Sequence, residues 1–278
     1  MVSSTLNIIT FLLTTVFYYL ILRPSLTLNM LTNPEEYAKY TQQMYLYSGI
    51  YLLLVILVQF FVNSSVIASA CGGNITENMG AAGVLTFIPW SLLFGAIIAI
   101  LIIYPSFKTA FSDVVGYFVV SSRANTVLTE LLVNKDVSTA SETLPAEQQN
   151  AVQKTADVIM KICGNASVLI NQLTPSNFEM YWNLLRPLMK PQYQEHLNTQ
   201  VQPLKQELFD ITVQRDLVGE IMWYVYTGFI VASLVQLKIA TRGCNNNPKT
   251  MEANYKKFLE EEERAKQERD NAQQTYTL

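Results

Sequence analysis

Charge is missing from four parts of this chain. Leu6–Leu22, Tyr45–Ala70, Ala81–Tyr104 and Ile221–Leu237 contain no Asp, Glu, Lys, Arg or His. Ionised side chains are strongly disfavoured in hydrocarbon, and a helix rises about 1.5 Å per residue, so about 20 apolar residues cross a bilayer. The second and third stretches meet that length outright. The first and last approach it once flanking weakly polar residues are counted. Four transmembrane helices are therefore expected. The same absence argues against proton relays and ion-coupled transport, which place ionisable groups at mid-membrane.

Other absences narrow the chemistry. The single histidine, His196, sits in a polar run with no Ser or Cys motif beside it, so it reads as a surface residue rather than a general base. No GxSxG, HExxH, Walker loop or GxGxxG occurs, and Cys71-Gly72-Gly73 is only a flexible turn. An enzyme is not expected, and neither is a cofactor or metal. The three cysteines, Cys71, Cys163 and Cys244, are odd in number and lack CxxC spacing, so they suggest neither a disulfide framework nor a zinc site. The net charge of −3 gives no reason to expect nucleic acid.

What is present divides the chain into three transmembrane helices over 1–104, an extramembrane domain over 105–220, a fourth span over 221–237 and a charged tail over 238–278. Leu6–Leu22 has a signal-peptide length. It lacks a positive n-region, however, and ends in bulky Tyr18 to Leu22, so it reads as a retained helix. Aromatic residues mark the span boundaries: Tyr18 and Tyr19, Tyr45, Tyr47 and Tyr51, then Trp223, Tyr224 and Tyr226. Pro89 fits the first turn of a helix starting near Phe87, where its missing N–H costs little; a kink is the alternative. Ser91, Gly95 and Ala99, and likewise Gly228 and Ala232, form small-xxx-small rows suited to close helix packing.

The domain reads as all-α. Asn125–Lys135 puts Val127, Leu128, Leu131 and Leu132 on one face, and Ala146–Cys163 repeats the pattern up to a stop at Gly164. Ser176-x-x-Glu179 reads as a capping box before Tyr181, Trp182, Leu184 and Leu185. From Pro203 the pattern Leu204, Leu208, Ile211, Leu217, Val218 runs into the fourth span as one long helix. Glu207, Asp210 and Asp216 are placed on its wet face, and Glu220 is given Arg215 or the headgroups as partner. Lys108–Val120 reads either as an interfacial element or as part of the domain. After the turn-rich Asn245–Pro248, the tail is polar and helical or disordered, with one apolar patch at Met251, Tyr255, Phe258 and Leu259.

Four spans place loop 23–44 and the domain on one side, and the N-terminus, loop 71–80 and the tail on the other. Loop 71–80 has no Lys or Arg, so the positive-inside rule puts the domain in the cytosol, although Lys238, Arg242 and Lys249 in the tail argue the reverse. Sequons occur at Asn63, Asn74 and Asn165; the first lies within a span, the second hugs the membrane, and the third is reachable only in the opposite orientation. Cys244 is a juxtamembrane thiol open to palmitoylation, though an ordinary free thiol is the commoner case.

The stretches Tyr104–Tyr117, Asn171–Phe178 and Thr241–Lys249 resemble multi-span proteins of nucleocytoplasmic large DNA viruses of the chlorovirus type. The resemblance implies a structural, minor capsid role in an internal virion membrane derived from a host intracellular membrane. Its implied partners are the lipid bilayer and capsid or other minor capsid proteins, with homo-oligomerisation open. Candidate contact residues are Tyr181, Trp182 and Leu185, and the patch Met251, Tyr255, Phe258, Leu259. A channel or transporter is the alternative expectation.

Overall fold

A computed structural model describes residues 2–71, 75–132, 166–194, 201–242 and 248–274. Those residues are almost entirely helical. Their one β feature is an isolated bridge between Leu132 and Met189. The principal helices are α1 (Val2–Phe17), α2 (Pro34–Cys71), α3 (Ile75–Pro89), α4 (Gly95–Ile103), α5 (Tyr117–Leu131), α6 (Phe178–Leu185), α7 (Val201–Thr241) and α8 (Pro248–Gln274). Among the described residues, four helical stretches are long and apolar enough to cross a membrane: Thr5–Leu22, Pro34–Cys71, Met79–Ile103 and Val201–Thr241. The helix expected over Ala146–Cys163, His196, the sequons at Asn74 and Asn165, and Cys163 and Cys244 lie outside the described residues.

The chain forms two compact units that cut across its long helices. One comprises Met1–Phe17, Tyr51–Gly95 and Gly228–Leu278; the other comprises Tyr18–Ile50 and Ala96–Thr227. The second unit thus takes in residues on either side of 105–220.

The first unit has an inverted distribution of polarity. Asn7, Thr15, Gln59, Asn63 and Thr86 are buried, while Leu13, Leu53, Phe61, Val84 and Leu92 are exposed. Its aromatic layer packs Phe11 against Trp90 and Phe94 at centroid distances of 5.4 and 5.5 Å, with Tyr51 5.8 Å from Phe94. The Tyr51 hydroxyl lies 2.8 Å from Thr15 Oγ1, so a polar tip finds a partner beside an apolar ring.

Pro89 sits inside a helix that begins at Ile75, not in the first turn of one starting at Phe87. A proline there removes a donor and clashes with the carbonyl four residues back. The next turn, Trp90–Phe94, widens to the π pattern before α4 resumes at Gly95, which absorbs the mismatch. The small-residue rows also sort themselves. A Cβ on Gly228 would fall within the Phe11 ring, and Ala232 is buried. Gly95 faces Leu52 with ordinary room, whereas Ser91 and Ala99 are exposed and the packed face of that segment is Trp90, Phe94 and Ile98.

The second unit has a conventional core. Leu128 and Leu131 of α5, Phe178, Trp182 and Leu185 of α6, and Leu208, Phe209 and Ile211 of α7 are buried together. The α5 face Val127, Leu128, Leu131 and Leu132 is buried as its spacing predicts. The capping box does not form: α6 starts at Phe178 after Asn177 with no side-chain cap, Ser176 pairs with Thr174, and Glu179 pairs with Lys205 at 2.8 Å. Glu179 is drawn to a cation across the fold, which is a stronger partner than a neighbouring amide.

One thiol departs from expectation. Cys71, the last residue of α2, is disulfide-bonded. Odd cysteine number and wide spacing do not preclude a single bridge between residues that the fold brings together.

Gly228→Val should lower the thermal midpoint in detergent by the equivalent of about 1–3 kcal/mol of overpacking. Ser91→Ala should stay within about 0.5 kcal/mol, as expected for a surface change. Equal midpoints for both variants would contradict the placement of Gly228 against Phe11.

Candidate functional site

Two polar assemblies stand out, one in each unit. The one in the second unit is a buried charge quartet. Arg23 follows a π turn at Tyr18–Leu22, Lys108 closes a 3-10 turn at Pro105–Lys108, and Asp216 and Glu220 share a face of α7 at i, i+4. Glu220 is almost fully buried and receives four contacts. Arg23 Nε donates to Oε1 at 3.0 Å, Arg23 Nη2 to Oε2 at 3.4 Å and the Tyr19 hydroxyl to Oε1 at 3.2 Å, while Lys108 Nζ lies 2.8 Å from Oε2. Lys108 Nζ also donates to Asp216 Oδ2 at 2.9 Å. Two cations meet two carboxylates, so the cluster carries no net charge.

Burial works against the charged form of Lys108, but the carboxylates of Glu220 and Asp216 more than offset it, holding the ammonium above the ordinary lysine range. Burial opposes ionisation of Arg23 too, and Glu220 overcomes it in the same way. Because the folded value of Lys108 is raised, its contribution to stability is complete below the unfolded lysine pKa of about 10.4. It is lost only as pH climbs through the still higher folded value. The contribution of Lys108 is therefore insensitive to pH around neutrality.

Two glycines permit this approach. A Cβ on Gly219 would meet the Lys108 carbonyl oxygen and Ser112 Cβ, both at 2.8 Å. One on Gly116 would meet the Arg215 carbonyl oxygen at 2.6 Å. One turn away, the fully buried Arg215 pairs with Asp113 at 3.3 Å and donates to Asn171 Oδ1 at 3.1 Å and the Leu173 carbonyl at 2.9 Å. A cavity of about 210 Å³ lies beside the quartet, lined among others by Arg23, Tyr40, Lys108, Thr174, Asp216 and Glu220.

Several sequence expectations change here. Glu220 pairs with Arg23 and Lys108 rather than Arg215, and Asp216 is inside the quartet rather than on a wet face. Asp210 is exposed, as expected, while Glu207 is half-buried beside Arg123. The Lys108–Val120 segment is divided: Lys108 and Ser112 are buried, while Val114 and Phe118 are exposed. Two of the stretches that carry the viral resemblance meet on α7, through Lys108 and Asp113 from one and Asn171 from the other. Trp182 and Leu185 are buried in the domain core, and Tyr181 is half-buried against it. Tyr255, Phe258 and Leu259 are exposed on α8. Met251 opens the same helix; its side chain lies outside the described set.

The second assembly lies inside the first unit. Asn63 of α2 collects one partner from each of three other helices. Its Oδ1 accepts from Asn7 Nδ2 of α1 at 2.9 Å and from Gln236 Nε2 of α7 at 3.1 Å, and its Nδ2 donates to Thr86 Oγ1 of α3 at 2.8 Å. Gln59, one turn earlier, donates to the Asn7 carbonyl at 3.0 Å. Asn7 Oδ1 and Gln59 Oε1 are buried acceptors with no hydrogen-bond donor among the described residues. Also among the described residues, no group of His, Cys, Asp and Glu could hold a metal ion.

Sequence reading missed both assemblies as units. The quartet had a signal: four-span counting puts Arg23, Lys108 and Glu220 on one side, each within a few residues of a charge-free stretch. Glu220→Ala should cost about 3–5 kcal/mol, because it strands two buried cations. Exposed Asp210→Ala should cost less than about 0.5 kcal/mol. Thermal unfolding in one detergent reads both, and a neutral Glu220→Ala would refute the quartet.

No protein-family model, curated protein sequence or solved structure matches this chain.

Proposed function

We propose that this chain is a non-enzymatic, multi-span membrane protein that anchors a structural assembly, tethering an internal virion membrane to the surrounding capsid shell. The observation that carries the membrane part is the inverted polarity of the first unit. Amides and hydroxyls are inside and bonded across helices, while Leu13, Leu53, Phe61, Val84 and Leu92 face outward. In water that surface is an aggregation liability. In hydrocarbon it is the matched exterior, and interior polar groups serve as interhelical glue.

The tethering part rests on the viral resemblance and on α8. This 27-residue helix is polar and leaves Tyr255, Phe258 and Leu259 exposed on an otherwise solvated rod. Aromatic side chains in a polar surround are the usual anchors of a protein contact. A capsid or minor capsid protein is the proposed occupant, and Trp182 and Leu185 drop out of the contact set.

A channel or transporter is the second reading. It is favoured by one observation, the buried amide cluster with two unpartnered acceptors at Asn7 and Gln59. Those acceptors could receive a donor from a polar guest, and among the described residues of the cluster no ionisable side chain accompanies them.

Purified particles should retain the protein through high salt and alkaline carbonate and release it with detergent. Tyr255→Ser with Phe258→Ser should leave membrane retention intact and reduce co-sedimentation with the detergent-stripped shell at least several-fold. Absence from purified particles would contradict the virion assignment, and unchanged co-sedimentation would contradict the role of α8.

A further inference from the structure

We infer that the cavity beside the charge quartet is a binding site for the headgroup of a zwitterionic phospholipid. The quartet is a chain of alternating sign: Arg23 contacts Glu220, Glu220 contacts Lys108, and Lys108 contacts Asp216. Its interior members are taken up by those contacts. Glu220 receives Arg23, Tyr19 and Lys108, and Lys108 is shared between two carboxylates. The ends keep spare capacity. A guanidinium carries five N–H donors. Arg23 uses three of them, two on Glu220 and one from Nη1 to the Pro24 carbonyl at 3.5 Å, so two remain unused among the described residues. Asp216 meets Lys108 through Oδ2, and its Oδ1 has no donor among the described residues. Arg23 and Asp216 both line the cavity. One end of the chain therefore offers cationic donors and the other an anionic acceptor.

The absence of net charge in the quartet decides the class of ligand. A lone phosphate would enter as a buried charge without a counter-charge, which is strongly unfavourable, and a lone ammonium meets the same obstacle. A phosphate joined to an ammonium leaves the cavity neutral. Its phosphate oxygens accept from Arg23 and its ammonium lies against Asp216, each a charge-assisted contact.

Place and size point to a lipid as the source. Three elements line the cavity, and each passes between polar and charge-free sequence at that point. On α2 the lining runs from Tyr40 and Thr41 to Tyr45, where a charge-free stretch begins. At the end of α4 it runs from Leu101 and Ile102 to Ser106 and Lys108, on either side of Tyr104. On α7 it runs from Asp216 and Glu220 to Tyr224, on either side of Ile221. This is headgroup level in the membrane-spanning part of the proposed function, on which the inference rests. Its volume of about 210 Å³ falls below the about 300–1,000 Å³ that encloses a drug-sized molecule. It suits one headgroup whose acyl chains stay outside, and Tyr45 and Ser106 of its lining are exposed, so it opens to the surface.

Native mass spectrometry of the full chain tests the site, after reconstitution with equal amounts of phosphatidylethanolamine, phosphatidylcholine and phosphatidylglycerol. Wild type should retain one lipid, a zwitterionic one about tenfold over phosphatidylglycerol, the equivalent of about 1.4 kcal/mol. Asp216→Asn gives the quartet a net positive charge and should turn the preference towards phosphatidylglycerol. Ser106→Trp fills the mouth from an exposed position and leaves the quartet intact. It should reduce retention several-fold at an unchanged thermal midpoint, which decides the matter even if Asp216→Asn does not fold. Equal retention of phosphatidylglycerol by wild type, an unchanged zwitterion preference in folded Asp216→Asn, or full retention by Ser106→Trp would each overturn the site. Soluble glycerophosphoethanolamine that raises the thermal midpoint as much as phosphatidylethanolamine would overturn the lipid as its source. Release of the chain from vesicles by alkaline carbonate without detergent would refute the membrane reading itself.

Discussion

A polar side chain inside an apolar helix bundle needs a partner from another helix, and Asn63 organises the first unit around that constraint. Its amide offers acceptor and donor atoms, and three helices supply Asn7, Thr86 and Gln236 to meet them. Interhelical hydrogen bonds between apolar helices average about 0.6 kcal/mol each, so three contribute about 2 kcal/mol. Their larger effect is on register. A leucine surface can slide against another leucine surface at little cost, but an amide that loses its partner is left buried and unsatisfied. The aromatic layer and the Gly228–Phe11 contact are then set at a fixed distance from that hub.

The second unit applies the same logic with full charges. Glu220 could not be buried as a lone carboxylate, since desolvation would cost several kcal/mol. It is tolerated because Arg23 and Lys108 reach it from two separate chain segments, each from a short non-α turn that aims its side chain inward. Gly116 and Gly219 let the segment from Lys108 to Gly116 come close enough to α7 for the Lys108 contacts to be direct. Ion pairs of this kind contribute less to net stability than to uniqueness, because every alternative packing strands a charge. A buried cluster whose cations are held charged by their carboxylate partners suits a fixed joint rather than a switch.

Much of the fold was legible because it follows from one-dimensional pattern. Charge-free length marked the four apolar helices, spacing marked the α5 face, and the absence of a breaker marked α7 as continuous through Gly219. What was not legible depended on contacts between distant segments. Ser176-x-x-Glu179 satisfies a local rule, yet Lys205 outbids the backbone for Glu179. Pro89 could start a helix or interrupt one, and only the fold shows that the helix runs through it into a π turn. Trp182 and Leu185 look like contact residues until α5 and α7 cover them. In sequence Asn63 reads only as a sequon within a span. Its role as a hub needs three helices that sequence alone does not bring together.

The amides of the first unit either seal the bundle or line a path through it. Reconstitution of the wild-type chain in sealed vesicles, with sodium and potassium flux measured against protein-free vesicles, addresses that directly. A sealed anchor predicts no flux above the protein-free control, together with a lowered thermal midpoint for Asn63→Ala. Wild-type flux that disappears in Asn63→Ala or Gln59→Ala would contradict it.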